Sequence, residues 1–186
     1  MNESKQFEAD YEFTWGVLTD FFSQKGIRRA LDGIYRCEAT GWEKWWQIEL
    51  ALYLSEHEDI GDWNMEERFF TDLRRPVEKD SIAVDFGIRR KGCSKDSMIY
   101  LELKQDADWM RCIENMLRDA KKVFTAQSRS HEGSAVRSFF VAGIYPSETK
   151  KDVHDYIEKR LDELEMEWDL IDTKFIADTP YSFTMF

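Results

Sequence analysis

Cysteine is scarce in this chain. Cys37, Cys93 and Cys112 are far apart and odd in number, which excludes a disulfide framework and a paired-cysteine zinc site. Long apolar runs are also missing: nothing approaches the roughly 18 consecutive apolar residues that a membrane span requires. The first ten residues, Met1 to Asp10, are polar and acidic, without the basic-then-apolar order of a secretory signal. Membrane insertion and secretion are therefore not expected, and reduced thiols in a cytoplasmic protein are. Positive charge is in deficit as well, with 26 Lys and Arg against 37 Asp and Glu, a net charge of -11. Lys and Arg supply most of the affinity of proteins that coat nucleic acid nonspecifically, so that class is disfavoured.

Hydrophobic residues make up 42% of the chain and aromatics 15%, enough to order it throughout. A length of 186 residues suits one domain with a substantial core. We expect a single domain over 1–186, with N-terminal helices over 1–40, a core over 41–145, and a C-terminal helix and strands over 146–186. The charge is uneven: Glu66 to Arg137 carries 15 basic and 13 acidic residues, and the flanks hold the acidic excess. The middle of the chain is where a polyanion would dock.

Apolar residues at three- and four-residue steps predict one or two helices from Phe7 to Tyr35, with a break at Gly26, and another from Trp42 to Ser55 capped by Thr40-Gly41. Glu56 to Asn64 reads as a loop, followed by extended runs near Arg68–Leu73, Ser81–Arg90 and Met98–Lys104, with Pro76 and Gly92 as turns. A helix is expected over Trp109–Gln127, a strand over Val136–Tyr145 and a helix over Lys150–Glu165, then strands near Trp168–Ile176 and Tyr181–Phe186. This order predicts an α/β fold with a mixed central sheet flanked by helices.

Chemistry concentrates on two of the expected strands. Side chains alternate between faces along a strand. Ile82, Val84, Phe86 and Ile88 should therefore oppose Ala83, Asp85 and Gly87, while Ile99, Leu101 and Leu103 oppose Tyr100, Glu102 and Lys104. If the two strands pair as a hairpin through Lys91–Ser97, Asp85 and Glu102 can lie side by side, with Lys104 further along the same face. Adjacent carboxylates repel unless a cation lies between them, and hard oxygen donors with water suit Mg²⁺ or Mn²⁺. An acid two residues before a lysine occurs five times, but only Glu102/Lys104 ends an apolar strand next to another strand bearing an acid. Asp172/Lys174 is the rival. The bland alternatives are a cross-strand ion pair for Glu102 and Lys104, and a surface carboxylate for Asp85.

With these residues in place, the chain resembles the PD-(D/E)XK nuclease superfamily, Asp85 standing as the strand carboxylate and Glu102-Leu103-Lys104 as the E-x-K element. The resemblance covers Trp42 to Tyr145. Val84 precedes the Asp where the fuller motif has proline. The resemblance implies a restriction-endonuclease-like fold with an α-β-β-β-α-β core and an N-terminal helical extension. It further implies metal ligation by Asp85, Glu102 and the Leu103 carbonyl, a water-orienting or deprotonating role for Lys104, and a helical glutamate in the place of Glu49. The implied reaction is Mg²⁺-dependent hydrolysis of a phosphodiester in nucleic acid, with Mn²⁺ as a substitute. Arg74, Arg75, Arg89 and Arg90, followed by Lys121 and Lys122, are either phosphate contacts for that substrate or a solvated charged surface. Trp42, Trp45 and Trp46 are spaced for helix packing, although stacking on bases is the alternative. His57, His131 and His154 fall in separate segments, and no Ser or Cys lies in a nucleophile context. The alternative function is a noncatalytic protein of the same fold, an acidic immunity, regulatory or protein-binding factor. A homodimer that completes the site is a further possibility.

Overall fold

The computed structural model describes residues 3–70, 81–95, 97–129, 138–166, 168 and 170–186. Arg74, Arg75, Pro76 and His131 lie outside the described residues.

Three helices come first: α1 (Glu3–Ser23), α2 (Lys25–Arg36) and α3 (Glu43–Glu56). The break between the first two falls at Gln24 rather than at Gly26. Trp42 occupies the N-cap of α3 without a side-chain bond, so the Thr40-Gly41 cap does not form. Then follow β1 (Ile60–Phe70), β2 (Ser81–Arg90), β3 (Ile99–Gln105), α4 (Trp109–Arg129), β4 (Ser138–Pro146), α5 (Lys150–Glu163), β5 (Asp172–Phe175) and β6 (Tyr181–Met185). β1 begins at Ile60, inside the segment read as a loop. It is an edge strand, and Gly61, Asp62 and Asn64 on it are exposed, so it carries little of the apolar signal of an inner strand.

The six strands form one open mixed sheet in the order β1-β2-β3-β4-β6-β5. β3 and β4 are parallel, joined by the crossover helix α4, and the remaining neighbours are antiparallel. The fold is thus α/β, with a six-stranded mixed sheet and five helices among the described residues. No described helix is long and apolar enough to cross a membrane.

Two apolar layers cover the sheet. On one face Phe86, Ile88, Ile99, Leu101 and Leu103 pack with Leu18, Phe21 and Leu31 and with Trp46, Leu50 and Leu54 of α3. On the other, Val84, Tyr100, Phe139 and Val141 pack against Ile113, Met116, Leu117 and Val123 of α4 and Val153 and Ile157 of α5. Trp46 is buried in the first layer, as its helical spacing implies.

Simple alternation fails on β2. Val84, with Ile82 beside it, joins the α4 layer, whereas Phe86 and Ile88 join the α3 layer. The expected single face of Ile82, Val84, Phe86 and Ile88 is therefore split, and the switch falls at Asp85. The partner strand is irregular at the same level. The β1–β2 register runs Met65↔Phe86 and Glu67↔Val84, and between them Glu66 adopts a φ of 52°, the left-handed region that non-glycine residues seldom visit. The hairpin bends here, and its outer arm turns toward α4.

Candidate functional site

The bend in β2 coincides with the end of its pairing to β3. The ladder joins Ile88 to Ile99, Gly87 to Tyr100 and Phe86 to Leu101. One step further, side chains replace the main-chain partners. The Leu103 N–H donates to Asp85 Oδ2 at 2.8 Å, and the Asp85 N–H donates to Glu102 Oε2 at 3.2 Å. Each carboxylate thereby satisfies an amide that the parting strands would otherwise leave unpaired. Asp85 and Glu102 become adjacent at a fork in the sheet.

Helices supply the surroundings. From α3, Gln47 Nε2 donates to Asp85 Oδ1 at 2.6 Å, and Glu43 Oε2 accepts from the Gln105 N–H at 3.3 Å. Four residues apart, Glu43 and Gln47 share the helix face turned to the sheet. Glu49 lies about 200° around the helix from Gln47 at 100° per residue. It accepts instead from the Trp45 indole at 3.1 Å, so α3 brings Glu43 and Gln47 to the fork rather than Glu49.

From the other layer comes Asp119. The helix carrying it, α4, is preceded by Asp108, whose Oδ1 accepts from the Arg111 N–H at 3.0 Å, an N-cap bond. Its buried stripe includes Cys112, Ile113, Met116, Leu117 and Ala120. Asp119, seven residues after Cys112, falls at the margin of that stripe. Lys104 Nζ lies 2.5 Å from Glu102 Oε1 and 2.9 Å from Asp119 Oδ2, and Lys122 pairs with the other Asp119 oxygen. An alternating chain results: Glu102, Lys104, Asp119, Lys122. The first three side chains are only 15–17% exposed, whereas Lys122 is largely in solvent.

Burial sets the protonation energetics. It raises the Asp85 carboxyl above its ordinary range, partly offset by the Leu103 N–H and Lys104. Glu102 is raised by burial and by the neighbouring Asp85 charge, against the pull of Lys104. Glu43 is raised by burial too. For Lys104, burial disfavours the charge, but Glu102 and Asp119 together outweigh it and hold the ammonium well above its usual range. Burial likewise pushes Asp119 up, and its bonds to Lys122 and Lys104 bring it below the usual carboxylate value. Raised carboxylates beside a fixed cation mark a place where negative charge is crowded and poorly hydrated.

The donor set suits a hard divalent cation in kind. Each oxygen of Asp85 and Glu102 accepts one N–H and keeps a second lone pair, and Mg²⁺ is commonly held by one or two carboxylates plus water. In an extended strand a residue's N–H and C=O point to the same edge, so the Leu103 carbonyl faces the fork with its N–H. Among the described residues, no three Asp, Glu, His or Cys side chains form a metal-holding group. The protein's share of a metal site here would be the carboxylate pair and that main-chain oxygen.

The basic residues disperse. Arg89 binds the Cys93 and Gly61 carbonyls and pairs with Asp62 at 3.5 Å, while Arg90 lies over the Phe13 ring, 4.7 Å from its centroid. Both sit beyond Ile88, at the end of β2 away from the fork, where they pair with β1. Lys121 is exposed on α4, and of the described members of this set Lys122 borders the fork. The rival Asp172/Lys174 lies on β5, at the opposite edge of the sheet from β1. There Asp172 accepts from the Tyr11 hydroxyl at 3.3 Å.

Glu43, Gln47 and Asp119 escape a reading by strand motif. For Glu43 and Gln47 the available signal is their four-residue spacing on the buried stripe of α3. For Asp119 it is its position in the heptad begun by Cys112. Comparison of the chain with family models, with curated proteins and with solved structures gives no match.

Proposed function

We propose that the protein is a metal-dependent nuclease of the PD-(D/E)XK type, hydrolysing phosphodiesters of nucleic acid at the fork between β2 and β3. The observation that carries the reading is the interlocked pair, with Asp85 capping the Leu103 N–H and Glu102 capping the Asp85 N–H. Two adjacent buried carboxylates, with a main-chain oxygen facing the same gap, form the kind of ligand set that a divalent cation balances. The element order α3-β1-β2-β3-α4-β4, with the acid on β2 and Glu102-Leu103-Lys104 on β3, supports a restriction-endonuclease-like core.

A bound Mg²⁺ or Mn²⁺ would be held by Asp85, Glu102 and the Leu103 carbonyl. It would supply Lewis-acid stabilisation of the phosphate charge and a more acidic water. The chain's own residues do the rest. Lys104 stays an ammonium at neutral pH, so it serves as a fixed cation that orients water or a phosphate oxygen rather than as a base. Asp119 fixes the direction of that ammonium, and Gln47 holds the Asp85 carboxylate in its rotamer. Glu43 adds a further carboxylate at the end of β3.

Titration with Mn²⁺ followed by electron paramagnetic resonance tests the ligand set without any substrate. The native chain should bind, and Asp85→Ala and Glu102→Ala should each weaken binding tenfold or more. Equal binding by all three would reject the site.

A second reading rests on the Glu102–Lys104–Asp119 chain, which neutralises the fork from within as a structural ion network would. A noncatalytic, acidic protein-binding factor then remains the alternative. Salt-sensitive binding of a cationic protein, with no Mn²⁺ affinity, would favour it.

A further inference from the structure

A cleft of about 460 Å³ adjoins the fork on the α4 side. Its lining divides into two halves. Glu102, Lys104, Asp119 and Lys122 form a charged ledge, and Ile82, Ala83, Val84, Val123 and Phe139 form an apolar wall. The wall exists because the β1–β2 hairpin bends at Asp85 and Glu66, which turns Ile82 and Val84 toward α4.

Its size and chemistry limit the occupant. Pockets for small organic ligands span about 300–1,000 Å³. This cleft belongs with them, and its volume is too small to admit a base-paired duplex. An apolar wall beside cations that can meet a phosphate suits one nucleotide whose base has left its stack. A paired base keeps its faces covered by its neighbours and gains nothing from the wall.

We infer that the cleft takes a single unstacked nucleotide, so that the substrate is single-stranded nucleic acid. Lys122 and Lys104 meet its phosphate, and Ile82, Val84 and Val123 cover the base. Among the described residues, the lining side chains are either apolar or charged, and the charged ones pair along the ledge while Lys122 keeps a solvent-facing side. Among the described residues, no neutral side chain in the lining reads a base edge, so these residues give little preference among bases. This inference rests on the proposed phosphodiesterase site for its biological sense, but not for its test.

The test is binding, measured apart from cleavage. Fluorescence anisotropy of labelled 12-residue oligonucleotides, single-stranded DNA, single-stranded RNA and blunt duplex DNA, is followed in Ca²⁺, which occupies oxygen sites without promoting hydrolysis. The native chain should bind at least one single strand tenfold or more tightly than the duplex. Ile82→Trp fills the cleft from a half-buried position on the α4 side of β2 and should remove that preference with an unchanged circular dichroism spectrum. If that variant loses its fold, Val123→Lys, which charges the wall, serves in its place. Equal affinity for strand and duplex, no binding of any oligonucleotide, or an unaltered preference in a folded cleft-filling variant would each overturn the inference. Cleavage lost in Glu102→Gln reports separately on the phosphodiesterase reading. A protein that cuts duplex and single strand alike would keep that reading and reject this one.

Discussion

The amide of Leu103 donates to the carboxylate of Asp85 at 2.8 Å, a side chain standing where a neighbouring strand's carbonyl would otherwise be. Where β2 leaves β3, the vacated amides of Leu103 and Asp85 are satisfied by the two acids proposed as ligands. The fork and the charge cluster are one structural event, and substitutions there should move stability and chemistry separately.

Asp85→Asn keeps an oxygen for the Leu103 N–H and loses the charge. Its unfolding free energy in urea should stay within about 1 kcal/mol of native, whereas Asp85→Ala leaves the Leu103 amide and Gln47 without their acceptor and should cost about 1–3 kcal/mol. Both should lack cleavage. A stable but active Asn variant would remove Asp85 from the ligand set.

Asp119→Ala releases Lys104 from one of its two carboxylates. If Asp119 acts by aiming the ammonium, kcat should fall about tenfold or more with KM little changed, since the effect arises in the transition state. Asp119→Asn, which can still accept from Lys104, should recover part of the loss. Equal activity in the Ala and Asn variants would leave Asp119 a merely structural role.

The fork should also carry a pH signature. Glu102 titrates above its ordinary range in the folded chain because of burial and Asp85. Below about pH 4, near the ordinary glutamate value of about 4.3, the group is protonated in both states and burial is not penalised. As pH rises, the unfolded chain ionises first, so stability is lost until the raised folded value is passed. Without metal, Glu102→Gln should therefore melt higher than native at pH 7, and the gap should close toward pH 4. A gap that widens toward acid would show that Lys104 dominates, with the Glu102 carboxyl depressed.

Gly143 lets α4 approach β4. A Cβ built there would collide with Met116 Sδ and meet Cys112 Sγ at 2.9 Å. Gly143→Ala should destabilise the protein by about 1–3 kcal/mol through overpacking, toward the low end because the Met116 side chain can move. Urea denaturation checks this, and a neutral result would mean that Met116 yields without cost.

Several elements were legible in the sequence because their apolar periodicity is strong. The runs Ser81–Arg90 and Met98–Lys104 correspond to β2 and β3, and α4, β4 and α5 begin within two residues of their expected starts. The first half of β1 was not, since an edge strand with exposed Gly61, Asp62 and Asn64 lacks that periodicity. Ile82, Val84, Phe86 and Ile88 alternate perfectly in sequence, yet the bend at Asp85 sends two to each layer; alternation reports a straight strand and nothing about where it turns. Asp85, Glu102 and Lys104 stood out because they share two neighbouring strands. Asp119 and Glu43 did not, since helices from opposite layers deliver them and only tertiary packing fixes their rotation. Glu49 is the converse case: its sequence neighbourhood suited a site role, but its angle around α3 points it to Trp45.

The most direct test of the central claim is cleavage of circular and linear duplex DNA, single-stranded DNA and RNA in Mg²⁺, Mn²⁺ or EDTA, comparing the native chain with Glu102→Ala. Cutting should require the metal, favour single strands and fall at least a hundredfold in the variant. Cutting that persists in EDTA or in folded Glu102→Ala, or no cutting of any substrate by the folded native chain, would contradict it.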